Sequence, residues 1–264
     1  MKRNLYLSLM LAAGIIITNQ ASAQKIDSVK AGDNKLLTSQ LKTGLKQYMV
    51  YFQMPTRKKS LNISLWLRDI KKQTVNGKEV FITTQHWYGN DTNQYRHIVS
   101  VNKAADFSPL YHRETIGNKT KAYNWSESKI SGADTVTNNL AKDFSLAFDQ
   151  PNLNWNLDIE TFEMLPLAYG KTFAINFYDA GIGKPAYTAY KVTGSEMLTL
   201  FNNEKVDCWK LVNEGDFNGN KYTQTFWITK KTHELLKEED AFNGGFRYKV
   251  KLPGNAPDVV ARFK

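Results

Sequence analysis

Apolar and polar residues alternate with a period of two through most of this chain, and that pattern admits few folds. Leu61, Ile63, Leu65 and Leu67 alternate with Asn62, Ser64, Trp66 and Arg68. Phe246, Tyr248, Val250 and Leu252 alternate with Arg247, Lys249 and Lys251, and the pattern recurs at Val80–Thr84 and Phe173–Phe177. Successive side chains of a strand point to opposite faces, so each run predicts a half-buried strand. Turn clusters separate the runs: VNGK from Val75, YGNDTN from Tyr88, DFNGN from Asp216 and NGG from Asn243. Short strands with regular turns predict a mainly β chain, an antiparallel rolled sheet or β-barrel-like fold.

One short central helix is expected at about residues 156–165. NWNLDIETFEML places Leu157, Thr161 and Met164 on one side, with Ile159 and Phe162 beside them. Asn154 or Asn156 caps its start, and Leu165-Pro166 ends it because a residue before proline avoids the α region. Asp158, Glu160 and Glu163 read most simply as its solvated face.

Two segments align at a fixed offset. QYRHIVSVNKAADFSPLYHRE, from Gln94, matches KYTQTFWITKKTHELLKEEDA, from Lys221, in its strand-turn-strand pattern. The expected organisation is a single β-rich domain over 45–255. It is built of related halves at about 45–130 and 170–255, after an N-terminal segment 24–44 and before a C-terminal tail 256–264.

The first residues predict export. Lys2 and Arg3 precede an apolar run from Leu5 to Ile17, and Ala21 and Ala23 suit signal-peptidase cleavage. Residues 1–23 thus read as a removed signal peptide. Gln24 stands where a lipoprotein carries cysteine, so no lipid anchor is expected, and no later run is apolar enough to span a membrane. The expected location is the periplasm, with an extracellular destination also compatible. The formal charge of +10 is scattered among acidic residues, which argues against a nucleic-acid partner in an exported protein. The longest basic run, Arg57–Lys59, reads as a turn. Cys208, the single cysteine, can form no internal disulfide and reads as a small buried residue.

The sequence carries no recognisable catalytic machinery. HELLKEED, from His233, imitates a zinc-protease helix but has Lys237 where the second His belongs. Its counterpart DFSPLYHRE contains Pro109, which opposes a helix, so HELLKEED is expected to be a hairpin's return strand with His233 at the turn and its charges at an edge or rim. A hairpin around YGNDTN pairs Ile82 with Val101, Thr84 with Val99, and His86 with His97. His86 and His97 are weak metal candidates without a third ligand, and two partly buried imidazoles are the simpler reading. No catalytic residues and no cofactor are expected. Large aromatics occur on both strand faces, so Trp66, Trp87, Trp155, Trp209 and Trp227 are the candidate ligand-binding residues.

NWNLDIETFEMLPLAYGKTF, YKVTGSE, CWKL, TFWITKKTHELLKEED and FRYKVKL together resemble an exported bacterial family, the domain of unknown function numbered 3108. The resemblance implies a β-barrel-like or curved-sheet fold, similar in kind to the periplasmic lipoprotein carriers. It carries over no catalytic residue. The expected function is an uncharacterised, non-enzymatic cell-envelope binder or carrier of an apolar or amphipathic, lipid-like ligand. Two alternatives stand beside it: a structural or assembly factor for surface polysaccharide or outer-membrane machinery, with an envelope protein as partner, and a metal-dependent hydrolase.

Overall fold

In the computed structural model, residues 26–56, 62–253 and 260 are described. The expected signal peptide, the Arg57–Lys59 run and the expected tail other than Val260 lie outside them. The chain opens with β1 (Ile26–Val29), β2 (Gly44–Gln53), β3 (Asn62–Val75) and β4 (Lys78–Tyr88). It continues through β5 (Arg96–Lys103), β6 (Pro109–Ile116), β7 (Lys119–Trp125), β8 (Lys129–Gly132), β9 (Ser145–Ala147) and β10 (Leu153–Asn154). The helix α1 (Asp158–Glu163) follows, then β11 (Thr172–Asp179), β12 (Ile182–Thr199), β13 (Lys205–Phe217), β14 (Asn220–Thr229), β15 (Leu235–Phe242) and β16 (Gly245–Lys251).

These strands form one sheet in the order β1-β11-β12-β13-β14-β15-β16-β2-β3-β4-β5-β6-β7-β8-β9, with β10 also beside β11. Only β1 and β10 run parallel to their neighbour β11; the other pairs are antiparallel. The sheet is curved and not closed, because β1 and β9 end the path. The mainly β, barrel-like fold with one short helix is therefore as expected.

The helix lies inside the curve. Leu157, Ile159, Phe162, Met164 and Leu165 form one core cluster with Phe173, Ile175, Tyr190, Leu211, Phe226 and Ile228 of the sheet. Val29, Leu36 and Leu41 of the N-terminal segment close the same cluster. A 3₁₀ turn at Trp155–Leu157 precedes α1, and the Asn154 side chain caps it by accepting from the Asn156 N–H at 3.0 Å.

The solvated-face reading of the helix carboxylates is wrong. Glu160 and Glu163 are 0% and 1% exposed, and only Asp158 reaches part of the solvent. The sheet wraps a helix this short on several sides, so no solvated face remains. Lys46 and Arg68 are directly opposed across β2 and β3. They meet Glu163 and Glu160, which lie three residues apart on one helix face. Lys46 Nζ donates to Glu163 at 2.5 Å. Arg68 donates twice to Glu160, at 2.9 and 2.5 Å, and once to the Asn156 carbonyl at 2.9 Å.

HELLKEED is indeed extended from Leu235 onward, but its edge-or-rim assignment is also corrected. β15 pairs with β14 on one side and β16 on the other. Leu235, Glu238 and Asp240 are buried. His233 sits in the turn with φ +56°, and its Nδ1 lies 3.1 Å from the Glu163 carbonyl. The Leu235 N–H donates to the Glu163 carboxylate at 3.0 Å, so this stretch docks the helix.

The counterpart turn has the same construction. Lys103 N–H donates to the Ser108 carbonyl at 2.9 Å, Phe107 N–H to the Lys103 carbonyl at 3.0 Å, and Phe107 has φ +60°. In HELLKEED's turn, Thr229 N–H donates to the Glu234 carbonyl at 2.9 Å and His233 N–H to the Thr229 carbonyl at 3.1 Å.

Alternation predicts the strands correctly, but several face their polar side inward. Trp66, Arg68 and Ile70 of β3 face the helix side, with Tyr48 and Lys46 of β2. The opposite face carries Met49, Tyr51, Ile63 and Leu65 and, past Asp69 and Lys71, Ile82, Val99 and Val101, mostly half-buried. Under the first half the interior is polar: Thr83, Gln85, Ser100, Asn102, His112 and Asn154 are all buried.

His112 provides a pH test of this interior. The Asn154 amide donates to His112 Nδ1 at 3.0 Å, so that nitrogen carries no proton. Burial, with Arg96 nearby, lowers its pKa from 6.5 to about 4. Folded His112 therefore binds its proton more weakly than unfolded His112. Stability from this group is complete above pH 6.5 and falls as pH drops toward 4, by about 3 kcal/mol in all. Urea unfolding at pH 7 and pH 4.5 should show most of that loss, about 2 kcal/mol, in the wild type and much less of it in His112→Gln. Equal pH dependence in both proteins would refute it.

Candidate functional site

Two hollows of different chemistry lie at opposite ends of the strands. The first is a cleft of about 360 Å³ at the end where β13 turns into β14 and β15 into β16. Trp66, Trp87 and Trp155 line it, with Asp158, Glu238, Asp240, Arg68, Arg247 and Lys249. Three of the five tryptophans expected to bind ligand thus share one cleft. Trp66 and Trp87 are paired across β3 and β4, and their rings stack at 3.7 Å and 3°. Arg96 lies 4.5 Å from the Trp87 ring centre and Lys249 5.0 Å from that of Trp66. Trp155 instead packs edge-on against Phe177 at 5.1 Å.

The other two tryptophans lie elsewhere. Trp209 packs against the main core under Lys230, whose Nζ is 4.3 Å from its ring centre. Trp227 is on the opposite sheet face, where its indole donates to Glu196 at 3.1 Å and Lys237 covers its ring at 4.2 Å.

The charged members of the cleft escaped the sequence reading. Glu238 pairs with both Lys249 and Arg247, and Arg247 Nε donates to Asp240 at 2.6 Å. Burial alone would raise the Glu238 pKa, but Lys249 and Arg247 outweigh it and hold it below 4.5. Burial raises Asp158 and Asp240.

The second opening lies at the other end of the strands. It is a groove of about 720 Å³ lined by Leu200, Phe201, Val206, Leu236, Leu252 and Pro253, with Lys231, Lys251 and Glu234 among its polar residues. Phe201 is 65% exposed. Lys251 donates to Glu234 at 2.8 Å, whereas no ion pair of Lys231 is present among the described residues.

The predicted His pairing is present in full: His86 opposes His97, Thr84 opposes Val99 and Ile82 opposes Val101. The two rings stack at 4.7 Å and 10°. A metal ligated by imidazole lies in the ring plane, and two nearly parallel stacked planes do not meet at one ion. His86 Nδ1 lies 2.6 Å from the Tyr95 hydroxyl. No group of three His, Cys, Asp or Glu residues suited to a metal occurs among the described residues. Cys208 is buried, and burial pushes its thiol up to about 12. No helix of the described residues is long and apolar enough to cross a membrane.

Residues 47–251 match the family model of a protein of unknown function, DUF3108, and the chain belongs to that family. Its fold is also similar to a solved β-barrel-like protein of the domain-of-unknown-function family DUF1849 from Brucella abortus. That match has 9% identity, a TM-score of 0.49, and covers 80% of this chain and 97% of the other. No curated protein matches the chain.

Proposed function

We propose that this chain is an exported, non-enzymatic envelope protein that binds an amphipathic, lipid-like ligand in the groove beside Phe201. The lumen that a half-barrel carrier would use is filled by α1 and the N-terminal segment. The observation that carries the reading is the groove itself: apolar walls around about 720 Å³, with Lys231 at hand for an anionic headgroup. That volume lies within the roughly 300–1,000 Å³ of ordinary ligand sites. Phe201 and Leu236 present the apolar surface an acyl chain would cover.

Native mass spectrometry of protein taken from its own envelope should show a bound lipid. A fluorescent fatty acid should bind the delipidated protein, and Phe201→Asp should weaken it about ten-fold or more. Phe201 is largely exposed, so the substitution leaves the core intact. Unchanged affinity, or no uptake by the wild type, would remove the groove from consideration. The leader reading supports a periplasmic location, which cell fractionation and an N-terminus at Gln24 would establish. The matched turns at Phe107 and His233 support reading 45–130 and 170–255 as related halves.

A structural or assembly role has one specific observation in its favour. On the outer sheet face, apolar residues gather in two patches, Tyr248, Tyr51, Ile63, Met49 and Leu65 in one and Ile82, Val99 and Val101 in the other, with Asp69, Thr84 and His86 between them. Such a face suits an envelope protein partner. Crosslinking from that face that returned one reproducible partner would favour this role over ligand binding.

A further inference from the structure

The tryptophan cleft has a different chemistry from the groove, and the two share no lining residue. Its cations are already matched. Arg68 is held by Glu160, Lys249 by Glu238, and Arg247 by Glu238 and Asp240. A charged ligand would have to compete with these buried pairs, and separating them is costly. A neutral ligand leaves them in place and needs only hydrogen-bonding atoms that are still open. Asp158 provides such an atom: its Oδ1 accepts from the Ile159 N–H at 2.8 Å, and it makes no ion pair among the described residues. Gln224 provides another: its amide nitrogen donates to Asp240 at 3.2 Å, leaving its oxygen to accept.

The aromatic walls are equally selective. Arg96, Trp87, Trp66 and Lys249 are consecutive neighbours in one cation–aromatic stack, so those two rings are fixed as a wall. Among the described residues no cation lies over Trp155, which is half-exposed at the cleft. The cleft continues into a second hollow of about 270 Å³ that shares Gln224, Asp240 and Phe242 with it and adds Tyr222. Tyr222 lies flat over Gly215: a Cβ at residue 215 would come within 2.4 to 2.7 Å of the Tyr222 ring and hydroxyl. The missing side chain thus creates an aromatic platform beside the cleft.

We propose that this cleft binds a neutral saccharide of more than one ring, with one sugar face on Trp155, hydroxyls on Asp158 and Gln224, and the next ring toward Tyr222. A pyranose offers what the site asks for, an apolar ring face with hydroxyl donors and acceptors at its edge.

The test is nitrogen-15 NMR of the tryptophan indoles in the full chain during titration with cellotetraose and chitotetraose. Spermidine and inorganic phosphate serve as charged comparators. The neutral oligosaccharides should shift the Trp155 indole, and Trp155→Ala and Asp158→Asn should each weaken binding about ten-fold or more. Gly215→Val should weaken tetrasaccharide binding more than monosaccharide binding. If Trp155→Ala does not fold, Asp158→Asn and Trp155→Phe carry the comparison. The proposal fails if no neutral oligosaccharide shifts the indole, if only the charged probes do, or if Asp158→Asn binds like wild type. The same variants should bind the fatty-acid probe normally, so failure here is distinguishable from failure of the groove.

Discussion

Replacing Arg68 with alanine should destabilise the fold by about 3–5 kcal/mol, a large part of an ordinary domain's stability. The substitution strands Glu160, which is fully buried, without its two hydrogen bonds from the guanidinium. It also removes one donor from the Asn156 carbonyl at the start of the helix. Burial alone would weaken the charge on Arg68, but Glu160 outweighs it and holds the guanidinium above its ordinary value. The cost therefore comes from breaking the pair, not from the pair's presence. The double variant Arg68→Met with Glu160→Leu should recover most of the loss, because a well-packed apolar pair often replaces a buried ion pair without penalty. Urea unfolding of both single variants and the double variant measures this. An Arg68→Ala midpoint close to wild type would show that the helix is not held this way.

Glu238→Ala should cost a similar amount, about 3–5 kcal/mol. Glu238 pairs with two cations, and they are not equally affected by its loss. Arg247 keeps Asp240 and part of its solvent contact, while the Lys249 side chain is only 3% exposed and makes no other ion pair among the described residues. Lys249→Met in the Glu238→Ala background should therefore restore more stability than Arg247→Met. The reverse order would place the energetic weight on the wrong cation. The pH dependence is also set. Glu238 and Glu160 are both held below 4.5 when folded, so their contribution is complete above about pH 4.5 and disappears as pH falls through the folded values. The loss from His112 begins earlier, below pH 6.5, so the two phases separate on an acid titration.

Much of this arrangement is legible in the sequence once charge is read together with register. Asn243 and Gly244 have φ +48° and +69°, as a two-residue hairpin turn requires. That turn alone pairs Phe242 with Gly245, and hence Asp240 with Arg247 and Glu238 with Lys249. Four matched charges facing one another across a hairpin are a sign of a buried network, and HELLKEED followed by FRYKVK contains it. Arg68 gives a second sign, flanked at two-residue spacing by Trp66 and Ile70. The three tryptophans of the cleft were legible only as candidates, because their convergence joins β3, β4 and the turn before α1.

By itself the sequence determined the strands, the turns, the register of His86 with His97, the extended form of HELLKEED beyond its turn, and the place of the helix. Those follow from local physics: side-chain period, turn dihedrals and proline. It did not determine which side of each strand is inside. A period of two marks two faces and names neither, and the usual choice of the apolar face fails for β3 and β16. The tertiary structure made that choice by rolling the sheet around α1. Glu160 and Glu163 then required Arg68 and Lys46 opposite them, and a buried carboxylate is stable only beside a buried cation. Residues ninety or more positions apart in the chain satisfy that requirement, which is why only the folded protein reveals it.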